Sequence, residues 1–155
     1  MISTERQSSH LLGAITALVN WIVVNGVPDA VKSHFFGGRL IALKKKDGGI
    51  RPIVVGQTLR RLISKLINNY AKEKLATVFA PIQLGVGISG GVEAGVHAVR
   101  RYVEYLDADM TVIKLDFRNA FNTIRRDTIL EAVVSAIPEV YSYVHAAYAT
   151  TSQLV

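Results

Sequence analysis

Asp116 ends an apolar run, Thr111-Val112-Ile113-Lys114-Leu115, and a small residue and an aromatic, Ala120 and Phe121, follow four and five places on. Read as a buried strand, the run carries its carboxylate into a setting where a charge is costly unless something positive compensates it. A divalent metal is one such partner. Two other readings stand beside it: Asp116 contacts a ribose, or it caps the helical segment that follows.

The second chemical feature is basic. Lys44-Lys45-Lys46-Asp47-Gly48-Gly49-Ile50-Arg51 reads as the tip of a β-hairpin, with Gly at the tight positions. Lysines at such a tip and an arginine on the return strand can close over a phosphate chain. Arg51 supplies a planar bidentate fork, and a lysine supplies a mobile point charge. The same lysines can instead protect an exposed sheet edge from pairing. The third feature, Gly85-Val86-Gly87-Ile88-Ser89-Gly90, is a literal GxGxxG ahead of a helix, and Asp116 lies 26 residues beyond Gly90. That spacing allows a dinucleotide fold, with a pyrophosphate at the helix start and a ribose on Asp116. Pro81 makes the preceding segment a poor central strand, and the motif sits far from the start of its domain.

The elements that must position these residues follow from periodicity. Ser8 or Ser9 can cap a first helix that runs to about Val24 and stops at Asn25-Gly26. A short turn or helix spans 29–35, and strands at 39–45 and 50–55 form the hairpin. From Thr58, the residues Leu59, Leu62, Ile63, Leu66, Ile67 and Tyr70 share one helical face, with Arg60, Arg61, Lys65, Asn68 and Lys72 on the other. The glycines at 85–91 mark a loop. The spacing then predicts a helix over 92–106 that buries Val92, Val96, Val99 and Val103. A strand leads to Asp116, and helices follow over 126–137 and 138–149, the last with Pro138 in the favoured first turn. The order α, β-hairpin, α, α, β, α, α is α/β in the mixed, α+β sense, with too few strands for a doubly wound sheet. Residues 1–26 read as an N-terminal helix and residues 27–155 as the body of one domain.

Composition bounds the rest. At this length a chain can bury about two thirds of its unfolded surface, and half of its residues are apolar. No cysteine is present, which removes disulfides and zinc–thiolate sites, and His10, His34, His97 and His145 lack metal-ligand spacing. Residues 1–78 carry twelve Lys/Arg against four acids, +8, whereas residues 79–155 carry six against eight, −2. A basic half and an acidic half suit a polyanionic partner whose chemistry needs metal. The apolar stretch 11–24 is too short to span a bilayer and better suits a buried helix. No membrane association and an intracellular location, nucleus or cytoplasm, are expected.

Taken in order, these segments resemble the reverse transcriptases of non-LTR (LINE-like) retroelements. The matching stretches are Gly38-Arg39-Leu40-Ile41-Ala42-Leu43-Lys44-Lys45-Lys46-Asp47-Gly48-Gly49-Ile50-Arg51-Pro52-Ile53-Val54-Val55-Gly56, and then Arg60-Arg61-Leu62. Gln83-Leu84-Gly85-Val86-Gly87 follows, with Gly90-Gly91-Val92-Glu93 and His97, and then Leu115-Asp116-Phe117-Arg118-Asn119-Ala120-Phe121-Asn122. The resemblance covers residues 27–155 and implies a partial right-hand polymerase fold, with the hairpin as fingers and an incomplete palm sheet. It implies that Arg51 and a lysine, Lys44 or Lys45, touch an incoming dNTP. It makes Asp116 the first catalytic aspartate, holding Mg²⁺ with the carbonyl of Phe117. Phe121 becomes the aromatic under the sugar. Arg60, Arg61, Gln83, Gly85 and Gly87 would lie near an RNA template carrying a DNA primer.

One departure matters. The family uses a later Asp-Asp pair and a Gln-Gly loop before it, and these 155 residues contain no Asp-Asp. A single carboxylate should hold Mg²⁺ weakly and position it poorly. The sequence therefore reads as fingers and the first part of a palm, without the later palm and the thumb, inactive as a polymerase by itself. Two alternatives remain: a non-catalytic nucleic-acid-binding remnant, and a dinucleotide-binding domain built on Gly85 to Gly90.

Overall fold

Seven α-helices and one β-hairpin make up the computed structural model, which describes residues 2–46, 48–149 and 151–155, and side chains from residue 8 onward. Helix α1, Ile2–Asn25, begins well before Ser8, so the serine cap expected there does not exist and both serines lie inside the helix. Gly26 ends α1 with φ +78, the left-handed turn that glycine adopts without steric cost. Helix α2, Asp29–Phe35, leads into strand β1, Gly38–Lys44, which pairs antiparallel with β2, Ile50–Gly56. The register sets Gly38 opposite Gly56 and Leu43 opposite Arg51. The Lys45 amide donates to the Gly49 carbonyl at 2.7 Å and closes the loop. Asp47, at the tip, lies outside the described residues.

Helix α3, Thr58–Phe79, is the expected amphipathic helix and ends just before Pro81. Its Ile63 is fully buried, and Leu59 and Ile67 pack beside it. Helix α4, Gly91–Glu104, comes next, then α5, Ala120–Thr123, and α6, Arg126–Ala136. A 3-10 turn, Pro138–Val140, leads into α7, Tyr141–Tyr148. The core sits where α1, α3 and α7 meet, formed by Val19, Ile22, Phe36, Ile63, Tyr143 and Ala146, with Ala71, Ile137 and Val140 extending it. The Tyr143 hydroxyl lies 3.0 Å from Ser64 Oγ. Burial pushes the phenol up from its ordinary value, partly offset by Ser64 and by the nearby charge of Arg60.

Three expectations fail here. Residues 111–115 belong to no strand, and Asp116 is exposed rather than buried. A strand is stabilised by its neighbours' backbone groups, and among the described residues nothing pairs with this one. The α4 valines also stay in water: Val92, Val96, Val99 and Val103 are half to two-thirds exposed. The helix forms as the spacing predicts, but no described element covers its apolar face. In α1 only Val19 and Ile22 of the apolar stretch are buried, and Leu11, Leu12 and Trp21 are exposed. Its residues Ser8–Asn25 are long and apolar enough, by length and composition, to cross a bilayer, which corrects the fourteen-residue reading.

Strand β1 has a second backbone partner besides β2, which the sequence does not predict. Gly38 donates to the Gln153 carbonyl at 3.0 Å, Val155 to Gly38 at 3.1 Å, and Leu40 to Val155 at 2.7 Å. This parallel ladder ties the end of the described chain to the root of the hairpin. A three-residue segment with two apolar side chains carries no readable strand signal.

Candidate functional site

The hairpin is held at its root by side chains as well as backbone. Arg60, in the first turn of α3, donates from Nη1 to the Phe36 carbonyl at 2.6 Å and lies 5.9 Å from the Phe36 ring centre. Phe36 in turn packs edge-on against Tyr143 of α7. The segment 116–122 is anchored from its other side, because α6 packs against α7 and Arg126 donates to the Tyr148 carbonyl at 3.0 Å. Both arms therefore hang from the same helical core.

Between them lies a cleft of about 930 Å³, lined by Lys45, Arg51, Asp116, Phe117, Arg118 and Phe121 among others. Arg51 and Asp116 are 65 positions apart in sequence, yet they share this cleft. Phe121 is 97% exposed and Phe117 73%, so both rings present faces to solvent. Asn119 turns the chain between them with φ 53, a left-handed conformation that asparagine tolerates better than most residues. Its carbonyl accepts from the Asn122 and Thr123 amides at 2.9 and 3.1 Å.

The two lysine candidates part here. Lys45 lines both the Asp116 cleft and a smaller space of about 520 Å³ along the hairpin, which it shares with Leu43, Lys44, Lys46 and Arg51, whereas Lys44 is not on the described lining of the Asp116 cleft. Strand β1 ends at Lys44, so Lys45 stands in the turn beyond it.

The residues expected near a template do not converge. Arg60 and Arg61 line a cleft of about 810 Å³ with Lys65 and Asn68, at the start of α3. Gly87 packs against Lys72 and Ala76, about 18–24 Å further along the helix axis from Arg60 at 1.5 Å per residue. Gln83 Oε1 accepts from the Gly85 amide at 2.8 Å, which orders the turn locally. Arg60 has spent a donor on Phe36 and has a structural reason of its own. The glycines link helix α3 to helix α4 with no strand before them, so the strand–turn–helix geometry of a dinucleotide site is not formed among the described residues.

As a metal site the arrangement is short of donors. Asp116 is the single carboxylate on the described lining of the cleft, and no group of three His, Cys, Asp or Glu side chains stands together among the described residues. Mg²⁺ asks for near-octahedral oxygen coordination. One carboxylate beside the Phe117 backbone does not fit a two-ion centre.

No family model matches the chain, and no solved structure matches it. Among curated proteins it is similar to the retrotransposable element SLACS 132 kDa protein of Trypanosoma brucei gambiense. The two are 31% identical over 119 residues, 77% of this chain and 10% of that protein. The chain spans about a tenth of that relative's length. Over those 119 residues the chain is thus similar to part of a retroelement protein.

Proposed function

We propose that these residues are the fingers and first part of the palm of a reverse transcriptase domain, and that the cleft between hairpin and Asp116 is its nucleotide site. One observation carries this reading. Two segments far apart in sequence bring Lys45, Arg51, Asp116 and Phe121 to the same cleft, cations and carboxylate beside an exposed ring. The similarity to a retroelement protein supports the same reading. In it, Arg51 and Lys45 hold the phosphates of a dNTP, Phe121 lies under the sugar, and Asp116 is one half of a metal-binding pair. Phosphoryl transfer of this class relies on positioning and charge neutralisation. RNA template, DNA primer and an intracellular setting belong to the same proposal. With the donor set short of a metal centre, the 155 residues are expected not to polymerise by themselves. Primer extension on an RNA template with Mg²⁺ checks this: incorporation that disappears in Asp116→Ala would overturn it.

A second reading draws on a different place, the basic cleft of Arg61 and Lys65 beside Arg60 and Asn68. There the chain binds nucleic acid without chemistry. RNA affinity should then fall steeply with salt and be unchanged in Asp116→Ala. A filter-binding series between low and physiological salt measures both, and a salt-independent affinity would remove this reading.

A further inference from the structure

The cleft holds more positive charge than the two hairpin residues supply. Arg118, two places after Asp116, lines it from the same segment as the carboxylate, while Lys45 and Arg51 come from the hairpin. All three cations are exposed, and none forms an ion pair among the described residues. Against them stands the single carboxylate of Asp116, so the described lining carries two positive charges in excess. A site balanced for a metal–nucleotide complex offers carboxylates to the ion; this one offers cations to the phosphates.

We infer that the cleft binds the triphosphate tail of a nucleoside triphosphate directly, without a divalent metal, and that Arg118 is the third phosphate contact beside Lys45 and Arg51. The inference rests on the reading of the cleft as a nucleotide site and names how this chain would hold that ligand. Arginine is suited to the role because its guanidinium can give two parallel hydrogen bonds to one phosphate and stays charged at all relevant pH. The volume of about 930 Å³ lies within the range of small-molecule sites. Exposed Phe117 and Phe121 provide apolar surface next to the cations, so a ligand with an anionic tail and a flat ring meets both. A bare nucleic-acid backbone would use the charges and leave the rings idle.

The test is isothermal titration calorimetry of the whole chain with dATP and with inorganic tripolyphosphate, each in EDTA and in Mg²⁺. Both ligands are expected to bind in EDTA. Arg118→Gln should weaken both about five- to tenfold, the loss of one charge-assisted contact, and Arg118→Lys should lose less. Phe121→Ala should weaken dATP and leave tripolyphosphate unchanged. Arg118 is exposed, and an unchanged circular dichroism spectrum of Arg118→Gln would separate lost contact from lost fold. Binding of dATP that appears only with Mg²⁺, or that Arg118→Gln leaves intact, would overturn the inference while the nucleotide site stands. No binding of dATP under either condition would overturn both. Displacement of tripolyphosphate by an RNA oligonucleotide with a 5′-hydroxyl, at equal phosphate concentration, would overturn it in favour of a backbone track.

Discussion

Asp116 is open to water because the residues before it have no strand to pair with, and its chemistry depends on which groups share its cleft. Two other residues owe their place to space alone. Ile63 is fully buried between α1, α3 and α7, so Ile63→Ala should cost about 2–5 kcal/mol in urea unfolding, lost burial plus a cavity. Gly87 has φ +76, and a Cβ there would fall 2.4 Å from the Ala76 Cβ. Gly87→Ala should therefore destabilise by about 1–3 kcal/mol, through overpacking and left-handed strain together. The same unfolding measurement checks it. A loss of RNA binding without a loss of stability would point instead to a template contact at Gly87.

Among elements, α3 and the 3-10 turn are joined at their surface by Lys74 and Glu139, with the Tyr70 hydroxyl donating to Glu139 at 3.3 Å. The hydrogen bond from Lys74 holds the Glu139 carboxyl below its ordinary value of 4.5, and the bond to Glu139 raises the Lys74 ammonium above its ordinary 10.5. A carboxyl lowered by folding contributes stability above its unfolded pKa and loses it as pH falls through the folded one. An ammonium raised by folding contributes below its unfolded pKa and loses that as pH rises past it. The stability difference between the wild-type chain and Glu139→Gln should therefore be flat at neutral pH and fade both below pH 4.5 and above pH 10.5. Both groups are exposed, so the difference should also shrink with added salt. Thermal unfolding across pH measures it, and a difference that persists at pH 3 would exclude the ion pair as its source.

At the scale of the whole molecule, the exposed surface is 12702 Å², against about 7,700 Å² expected for a compact monomer of this mass. Only about half of the unfolded surface is buried, less than the two thirds expected from length. The excess includes the α4 valines and the unpaired run Val112, Ile113 and Leu115. An uncovered apolar helix face and an unpaired apolar run favour association between copies. Val99→Glu should leave monomer stability within about 0.5 kcal/mol, because the side chain is already half exposed, and should reduce association. Sedimentation velocity at two concentrations checks the second part. A stability loss of several kcal/mol would mean that Val99 is covered in solution.

Local rules made the helices and the hairpin legible. The spacing from Leu59 to Tyr70, the glycine after α1 and the turn between Lys45 and Ile50 are short-range signals, and each produces its element. The residue types of the cleft were legible too, since Arg51, Asp116 and Phe121 stand out by character and order. What the sequence could not decide was burial and company. The α4 periodicity predicts a helix but not whether anything covers it, and an apolar run becomes a strand only if a partner supplies hydrogen bonds. Only the tertiary structure separates Lys45 from Lys44, ties residues 153–155 to β1 and adds Arg118 to the cleft, because each depends on contacts between distant parts of the chain.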